Sequence, residues 1–330
     1  MREQALDLSI CIVSWNTLDI LKNCIESIYR YVKDYSFEII VVDNASGDGT
    51  QEALRKEYPL VLLIENEKNF GFGRANNQAI SISRGQYILL LNPDIILQGG
   101  ISDLIHPISI DPLVGCVGGR LIEPDGKIQE SCYETFPTPW SEFLEGMMLD
   151  RLLERISGRN PIHKTCNDVE EVAWLVGACM AFRREVLMDF AGFEERYYIY
   201  GEDVDLCYRL KKRGYKILYV RSVEMLHYHG ASSQKTDQKY FSSVMQRESM
   251  FRFMTHHYGV LNGYFYRMAW MFSAIFRIFV LVFLYGISSI VNNDRKERYL
   301  SPLKKYLKIF NWGLGFERWT KVPTLDRPTA

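Results

Sequence analysis

The sequence predicts an α/β fold, a mostly parallel sheet flanked by helices, followed by a C-terminal helical region that associates with a membrane. Three observations carry that expectation. Short β-rich apolar runs alternate with amphipathic stretches through the first hundred residues. Each run leads into an unusual polar cluster. From Phe251 to Val291, aromatic and aliphatic residues crowd together. Parallel strands covered on both faces read as unbroken apolar runs. Strand–helix–strand repetition implies right-handed crossovers and a doubly wound sheet.

The runs are Leu8–Val13, Phe37–Val42, Leu60–Ile64 and Tyr87–Leu91. Between the first two, Leu21, Cys24, Ile25 and Ile28 recur at helical spacing within Leu18–Tyr31. From about Ile101 to Tyr200 the pattern is less regular, with turn-rich loops at Glu123–Gly126 and Phe136–Pro139. A second helix–strand unit spans Glu202–Val220, its strand at Lys216–Val220. The expected organisation is one α/β domain over residues 1–250, in two halves that meet at about 120, then a membrane-associating region over 251–330.

The 330 residues carry 39 basic and 40 acidic side chains, so no overall field draws the chain to nucleic acid. The seven cysteines are scattered, odd in number and without a CxxC pair, which excludes a zinc knuckle or disulfide framework and fits a reducing compartment. The first strand follows Met1 within a few residues with no apolar signal segment, so the chain is expected to start in the cytoplasm.

Ligands of doubly wound sheets bind beyond the carboxyl ends of the strands. The first strand ends in Ser14-Trp15-Asn16-Thr17, the second in Asp43-Asn44-Ala45-Ser46-Gly47-Asp48-Gly49-Thr50. The third leads into Asn69-Phe70-Gly71-Phe72-Gly73-Arg74-Ala75-Asn76-Asn77, the fourth into Asn92-Pro93-Asp94. On such a sheet Trp15, Asp43, Asn76 and Asp94 converge along one edge. An aromatic ring, a carboxylate that accepts from base or ribose, and a glycine-bounded helix start suit a nucleoside diphosphate. Asp43-Asn44 is also an ordinary strand-to-helix turn. The Gly71-Phe72-Gly73 element is not the dinucleotide fingerprint, which disfavours a nicotinamide dehydrogenase. Farther on, Glu202, Asp203 and Asp205 crowd one helix start, where the helix dipole suits acids and mutual repulsion favours at least one raised pKa.

These segments resemble the GT-A-fold, family 2 glycosyltransferases, in particular the bacterial branch that contains rhamnosyltransferases of surface-polysaccharide assembly. The likeness continues through Trp174–Cys179, Tyr200–Leu206 and His227-Tyr228-His229-Gly230-Ala231-Ser232, covering roughly the first 235 residues. It implies that Asp43 holds the base or ribose of a nucleotide-sugar donor with Trp15 and Asn44 nearby, and that Phe72, Gly73 and Asn76 line the diphosphate side. Asp94 takes the last position of the family's DxD metal element, with Asn92 at its first. His227 resembles the additional metal ligand, its alternative being a packed histidine after a strand. Oxygen donors with an imidazole suit Mn²⁺ or Mg²⁺. Asp203, second of the Glu202-Asp203 pair, matches the base of an inverting transfer, with Glu202 on the acceptor side. Gly177 and Ala178 would lie beneath donor sugar and acceptor; a close-packed position in an apolar strand is the other reading of that pair.

The resemblance implies transfer from dTDP-rhamnose, with a UDP-hexose next, to a polyprenyl-diphosphate-linked glycan, as in O-antigen assembly. The rivals are a polyprenyl-phosphate sugar synthase and a non-catalytic nucleotide-sugar-binding scaffold. A processive polymerase is disfavoured because no QxxRW motif occurs.

Met268–Val291 is apolar apart from Arg277 and long enough to cross a bilayer. Beyond it Arg295, Lys296, Arg298, Lys304, Lys305 and Lys308 oppose only Asp294 and Glu297. The positive-inside tendency keeps that tail cytoplasmic, whereas a single span would export it. Leu303, Tyr306, Leu307 and Phe310 share a helical face, and Trp312, Phe316 and Trp319 extend it with residues that favour the interface. The expectation is peripheral, monotopic or re-entrant attachment through residues 264–319 to the cytoplasmic face of the bacterial inner membrane. A single span is the runner-up, and a homo-oligomer could use the same apolar surface.

Overall fold

Strand β1 (Leu8–Ser14) shows how the sheet is layered, because all its residues are buried and their side chains alternate between two cores. Leu8, Ile10 and Ile12 join one core with Leu21, Cys24, Ile25 and Ile28 of α1 (Leu18–Tyr31). Cys11 and Val13 join the other, with Ala75, Ala79 and Ile80 of α3 (Phe72–Ile82). Strand β4 (Tyr87–Leu91) repeats the alternation, Leu89 and Leu91 against Ile88 and Leu90. A strand covered on both faces has no polar side to show, hence the unbroken apolar runs.

The structure is a computed structural model and describes residues 6–147, 168–228, 240–291 and 296–317. His229–Ser232, Cys166, Asp294, Arg295 and Trp319 lie outside the described residues. Two compact units divide the chain, Met1–Phe136 with Ile162–Lys235, and Pro137–Pro161 with Thr236–Ala330.

In the first unit β1 and β4 lie beside β2 (Phe37–Asp43), β3 (Leu62–Glu65), β5 (Ile95–Leu97), β6 (Val114–Ile122), β8 (Val169–Val172), β10 (Cys179–Arg183) and β11 (Lys216–His227). Among the described residues these nine strands form one sheet in the order β3-β2-β1-β4-β10-β6-β11-β5, with β8 also paired to β11. The pairs β1–β2, β1–β4, β2–β3 and β6–β11 are parallel, while β10, β5 and β8 run antiparallel to their neighbours. A two-stranded ribbon, β7 (Cys132–Tyr133) with β9 (Trp174–Leu175), stacks the rings of Tyr133 and Trp174 at 3.9 Å. Helices α2 (Thr50–Glu57), α4 (Ile101–Ile110), α6 (Arg184–Asp189) and α7 (Glu202–Lys212) complete the unit. With α4 on the first core and α6 and α7 on the second, the sheet is covered on both faces.

Strand β11 extends well past its predicted end at Val220. An irregularity between Val220 and Glu224 interrupts its pairing with β6, and parallel pairing then resumes to Leu226. Polar Arg221 and Ser222 sit at that interruption, which hides the second half of the strand from a reading of apolar runs. His227 is therefore the last residue of the strand, paired with Ile95. The described cysteines Cys11, Cys24, Cys116, Cys132, Cys179 and Cys207 are free and buried, and burial raises their thiol pKa values.

The second unit is helical: α5 (Pro139–Gly146), α8 (Phe241–Tyr258), α9 (Val260–Val291) and α10 (Lys296–Gly313). Gly259, at φ +95°, separates α8 from α9 in a conformation that L side chains resist. Trp312 of α10 is fully buried and donates its indole N–H to Glu248 Oε2 of α8 (2.8 Å), while Arg252 Nε donates to Glu248 Oε1 (2.9 Å). Arg247 of α8 stacks on the ring of Trp270 in α9.

Candidate active site

The carboxyl ends of β1 and β2 hold the first group of predicted residues. Asp43 closes β2 opposite Ser14 and is fully buried. Its Oδ2 accepts from the Ser46 backbone N–H (3.1 Å) and Gln51 Nε2 (2.7 Å), whereas its Oδ1 is buried without a hydrogen-bond partner. A buried carboxylate oxygen left open is an acceptor for something the fold itself does not supply. Half-buried Trp15 follows β1, and the next residue, Asn16, takes a positive φ while its Oδ1 accepts from Gly47 N–H (2.7 Å).

Asn44 serves as a brace. Its Nδ2 donates to Asn69 Oδ1 (3.0 Å) and Gly71 O (3.1 Å), and its Oδ1 accepts from Asn66 Nδ2 (3.0 Å) and Phe70 N–H (3.1 Å). Asn66 and Gln78 exchange amide hydrogen bonds behind it. These contacts hold the loop that opens α3 and present Phe72, Gly73 and Asn76. Asn76 is buried and donates to Phe72 O (3.0 Å), within its own helix. The loop is also fastened from the far half of the unit, because Phe72 N–H donates to Tyr198 O (2.8 Å). Gly71 sits at φ +86°, and a Cβ there would lie 2.3 Å from that same carbonyl oxygen. Gly71→Ala is therefore expected to destabilise the unit by roughly 2–4 kcal/mol, read as a lower urea midpoint, and to weaken nucleotide affinity in the variant that remains folded.

The second group forms around the loop between β4 and β5. Asn92 N–H donates to Ala178 O (2.8 Å), and Asn92 Oδ1 is buried without a partner. Asp94 is buried, accepts at its backbone oxygen from Tyr228 N–H (2.9 Å), and leaves Oδ1 without a hydrogen bond 3.4 Å from His227 Nε2. His227 Nδ1 meets Gln129 Oε1 at 2.5 Å, and since that oxygen only accepts, Nδ1 carries the proton. The other ring nitrogen, Nε2, then faces a carboxylate oxygen. A ring nitrogen and a carboxylate oxygen at this separation, with the Asn92 amide oxygen on the same loop, are groups that can hold a divalent cation; the hydrogen bond to Gln129 is the kind that orients a histidine ligand.

The third group is the acid pair. Tyr200, at φ +67°, and Gly201, at φ +86°, turn the chain sharply into α7, which opens with Glu202 and Asp203. Asp203 Oδ2 accepts from Gly177 N–H (2.9 Å) and Oδ1 from its neighbour Val204 N–H (2.8 Å). Gly177 and Ala178 lie in the link between β9 and β10 rather than inside a strand. A Cβ on Gly177 would stand 3.3 Å from that of Asp203. The dipeptide thus ties the acid to the Asn92 loop. Burial raises the pKa of Asp203 against the pull of these N–H donors. Glu202 is buried, its Oε2 has no partner, and burial with the Asp203 charge pushes it up to about 8. Its Cβ lies 3.7 Å from where a side chain on Gly73 would start, which sets Glu202 beside the opening of α3. Asp205 belongs to the framework, fully buried and held by Arg209 Nε (2.7 Å) and Tyr197 OH (3.1 Å).

Among known families, Glycosyl transferase family 2 matches residues 9–190, more than half of the chain. The chain belongs to glycosyltransferase family 2. A second description, Glycosyl transferase family group 2, matches residues 141–292. The N-acetylglucosaminyl-diphospho-decaprenol L-rhamnosyltransferase of Mycobacterium tuberculosis is 32% identical over 213 residues, covering 59% of this chain and 67% of that protein. Rhamnosyltransferase WbbL of Escherichia coli is 26% identical over 275 residues, 80% of this chain and 98% of that one. The mannosyltransferase PcManGT of Pyrobaculum calidifontis, solved with GDP-Man and Mn²⁺, shares the fold at TM-score 0.55 and 16% identity, over 97% of this chain and 89% of that chain. The sequence reading of this glycosyltransferase passed over Gln129, Gln51, Asn66 and Tyr198. Each touches a predicted residue through a contact that no local motif encodes; Gln129 stands 98 positions from His227.

Proposed function

We propose that the protein is an inverting, metal-dependent glycosyltransferase that moves rhamnose from dTDP-rhamnose, or failing that a hexose from its UDP donor, to a polyprenyl-diphosphate-linked glycan in cell-surface polysaccharide assembly. The observation that carries this reading is the dipeptide Gly177-Ala178, whose N–H holds Asp203 and whose C=O holds the Asn92–Asp94 loop. It joins a candidate proton acceptor to a candidate cation site.

Asp43, with Trp15 and the loop braced by Asn44, would hold the nucleoside. Phe72, Gly73 and Asn76 would flank the diphosphate. Asp94 and His227, with the Asn92 amide, would hold Mn²⁺ or Mg²⁺, which when bound supplies neutralising charge for the departing diphosphate. As the acceptor hydroxyl oxygen bonds to the anomeric carbon and the bond to the diphosphate breaks, the hydroxyl proton passes to Asp203. A raised pKa makes Asp203 a stronger proton acceptor than an ordinary aspartate. Glu202, Gly177 and Ala178 would shape the acceptor side. A single such carboxylate suits inversion, because retention by double displacement requires a second group as nucleophile.

In this reading residues 1–250 carry catalysis, and residues 251–330 bind the cytoplasmic face of the bacterial inner membrane, where a lipid-linked acceptor resides. The acceptor named for the mycobacterial relative supports the lipid-linked class. The test is calorimetric titration with dTDP and with UDP, each with and without Mn²⁺. Metal-dependent binding of dTDP is expected; folded protein that binds neither nucleotide would remove the donor site.

A further inference from the structure

We infer that α9 and α10 form an antiparallel pair lying in the plane of an anionic lipid leaflet, so that both ends of α9 stay on one side of the membrane. The inference rests on the membrane reading above and decides its geometry.

Helix α9 is two-faced as far as Arg277, and beyond it Phe279, Val280, Val282, Phe283, Leu284 and Ile287 are all exposed. Tyr266, Trp270, Ser273 and Ala274 are buried within the helical unit. Leu261, Phe265, Phe272, Phe276, Phe279 and Phe283, spaced three, four or seven residues apart, are exposed, Leu261 at 85%, Phe279 at 72% and Phe283 at 62%. From Leu261 to Phe283 this stripe is roughly 33 Å long at the rise of an α-helix. Residues 260–287 are long and apolar enough to cross a membrane by length and composition. A contiguous apolar stripe of that size marks a binding surface. Both arginines of α9 turn inward and leave the stripe free of charge. Arg267 donates to Trp312 O (2.6 Å) and Gly313 O (3.2 Å), and Arg277 donates to Tyr306 OH (2.5 Å) and Gly146 O (2.9 Å).

Those same bonds settle the direction of α10. Arg267 meets Trp312 and Gly313, Arg277 meets Tyr306, and a Cβ on Gly313 would touch Met271, so α10 returns antiparallel beside α9. A transmembrane α9 would carry α10 into hydrocarbon with exposed Lys304, half-exposed Lys305, and Lys308 with its partner Glu317 (3.3 Å). Laid flat, the pair buries the phenylalanine stripe among acyl chains and leaves the lysines at headgroup level, where they complement negative lipid charge.

The full-length chain and two variants test this. Wild-type protein is expected to float with phosphatidylglycerol vesicles and to bind phosphatidylcholine vesicles at least about tenfold more weakly; equal binding overturns the anionic leaflet. Replacing Phe279 and Phe283 together with Asp is expected to lower the vesicle-bound fraction at least tenfold. If the doubly substituted protein still floats and instead loses a dimer seen by light scattering, the stripe joins two copies and the inference fails. In sealed inside-out membrane vesicles, Arg298→Cys is expected to react with an impermeant maleimide as fully as after detergent, above the wild-type background. Protection until detergent is added means that α9 spans the membrane, which overturns the in-plane geometry alone. Wild-type protein that binds no vesicle overturns the membrane reading itself.

Discussion

Asp203→Asn is expected to lower sugar transfer by about 10³-fold while nucleotide affinity stays within about twofold. The substitution keeps size and shape, and its amide oxygen can still accept one of the two N–H bonds that fix the side chain, from Gly177 or Val204. It removes the capacity to take up a proton, and with it a carboxylate that helps to raise Glu202. Because burial and Asp203 together raise Glu202 to about 8, the substitution removes the second of these causes and Glu202 should ionise at lower pH than in the wild type. Titration of nucleotide binding, which does not need the base, separates this effect from misfolding. Turnover retained near the wild-type rate, with donor and acceptor both saturating, would exclude Asp203 as the proton acceptor.

Asp94→Asn should show the second large effect, loss of the part of nucleotide affinity that depends on Mn²⁺, with transfer lower by about 10²–10³-fold, the equivalent of roughly 3–4 kcal/mol in the barrier. Asp94 Oδ1 makes no hydrogen bond in the fold and the loop is held by backbone contacts through Ala178 and Tyr228, so the variant should melt near the wild-type temperature. Metal-dependent calorimetry distinguishes the two possibilities directly: nucleotide affinity that still rises on adding Mn²⁺ removes Asp94 from the cation site. His227→Ala should give a smaller loss in the same titration, since one neutral ligand contributes less than a carboxylate.

The sheet was legible where burial on both faces forces a continuous apolar run, as in β1, β2 and β4, but not in β6, where Gly115, Gly118 and Gly119 break the run although the strand is buried. The antiparallel strands β5, β8 and β10 were not, because three to five residues between irregular loops give too little pattern. Strand β11 was half legible for the same reason, its second part lying beyond Arg221 and Ser222. At the candidate site, the polar ends of the strands supplied the candidate residues. Their immediate surroundings were not legible. Asn44 stands out in the sequence as a neighbour of Asp43, yet its partners lie 22 to 27 positions away and make it a brace for the loop. Gln129, which orients His227, comes from a loop with no motif at all. Tertiary hydrogen bonds of this kind depend on where the fold brings distant segments together, and periodicity carries no record of that.

The brace around Asn44 has a consequence for interpreting pH–rate profiles. Asn44, Asn66, Asn69 and Gln78 are held to one another and to the backbone by amides alone, and amides neither gain nor lose protons across the working range of an enzyme. This wall of the cleft keeps its shape and its zero charge from weakly acidic to weakly alkaline solution. A bend in the profile of turnover between those limits therefore originates elsewhere, with the carboxylates at the start of α7, both raised by burial, the first candidates.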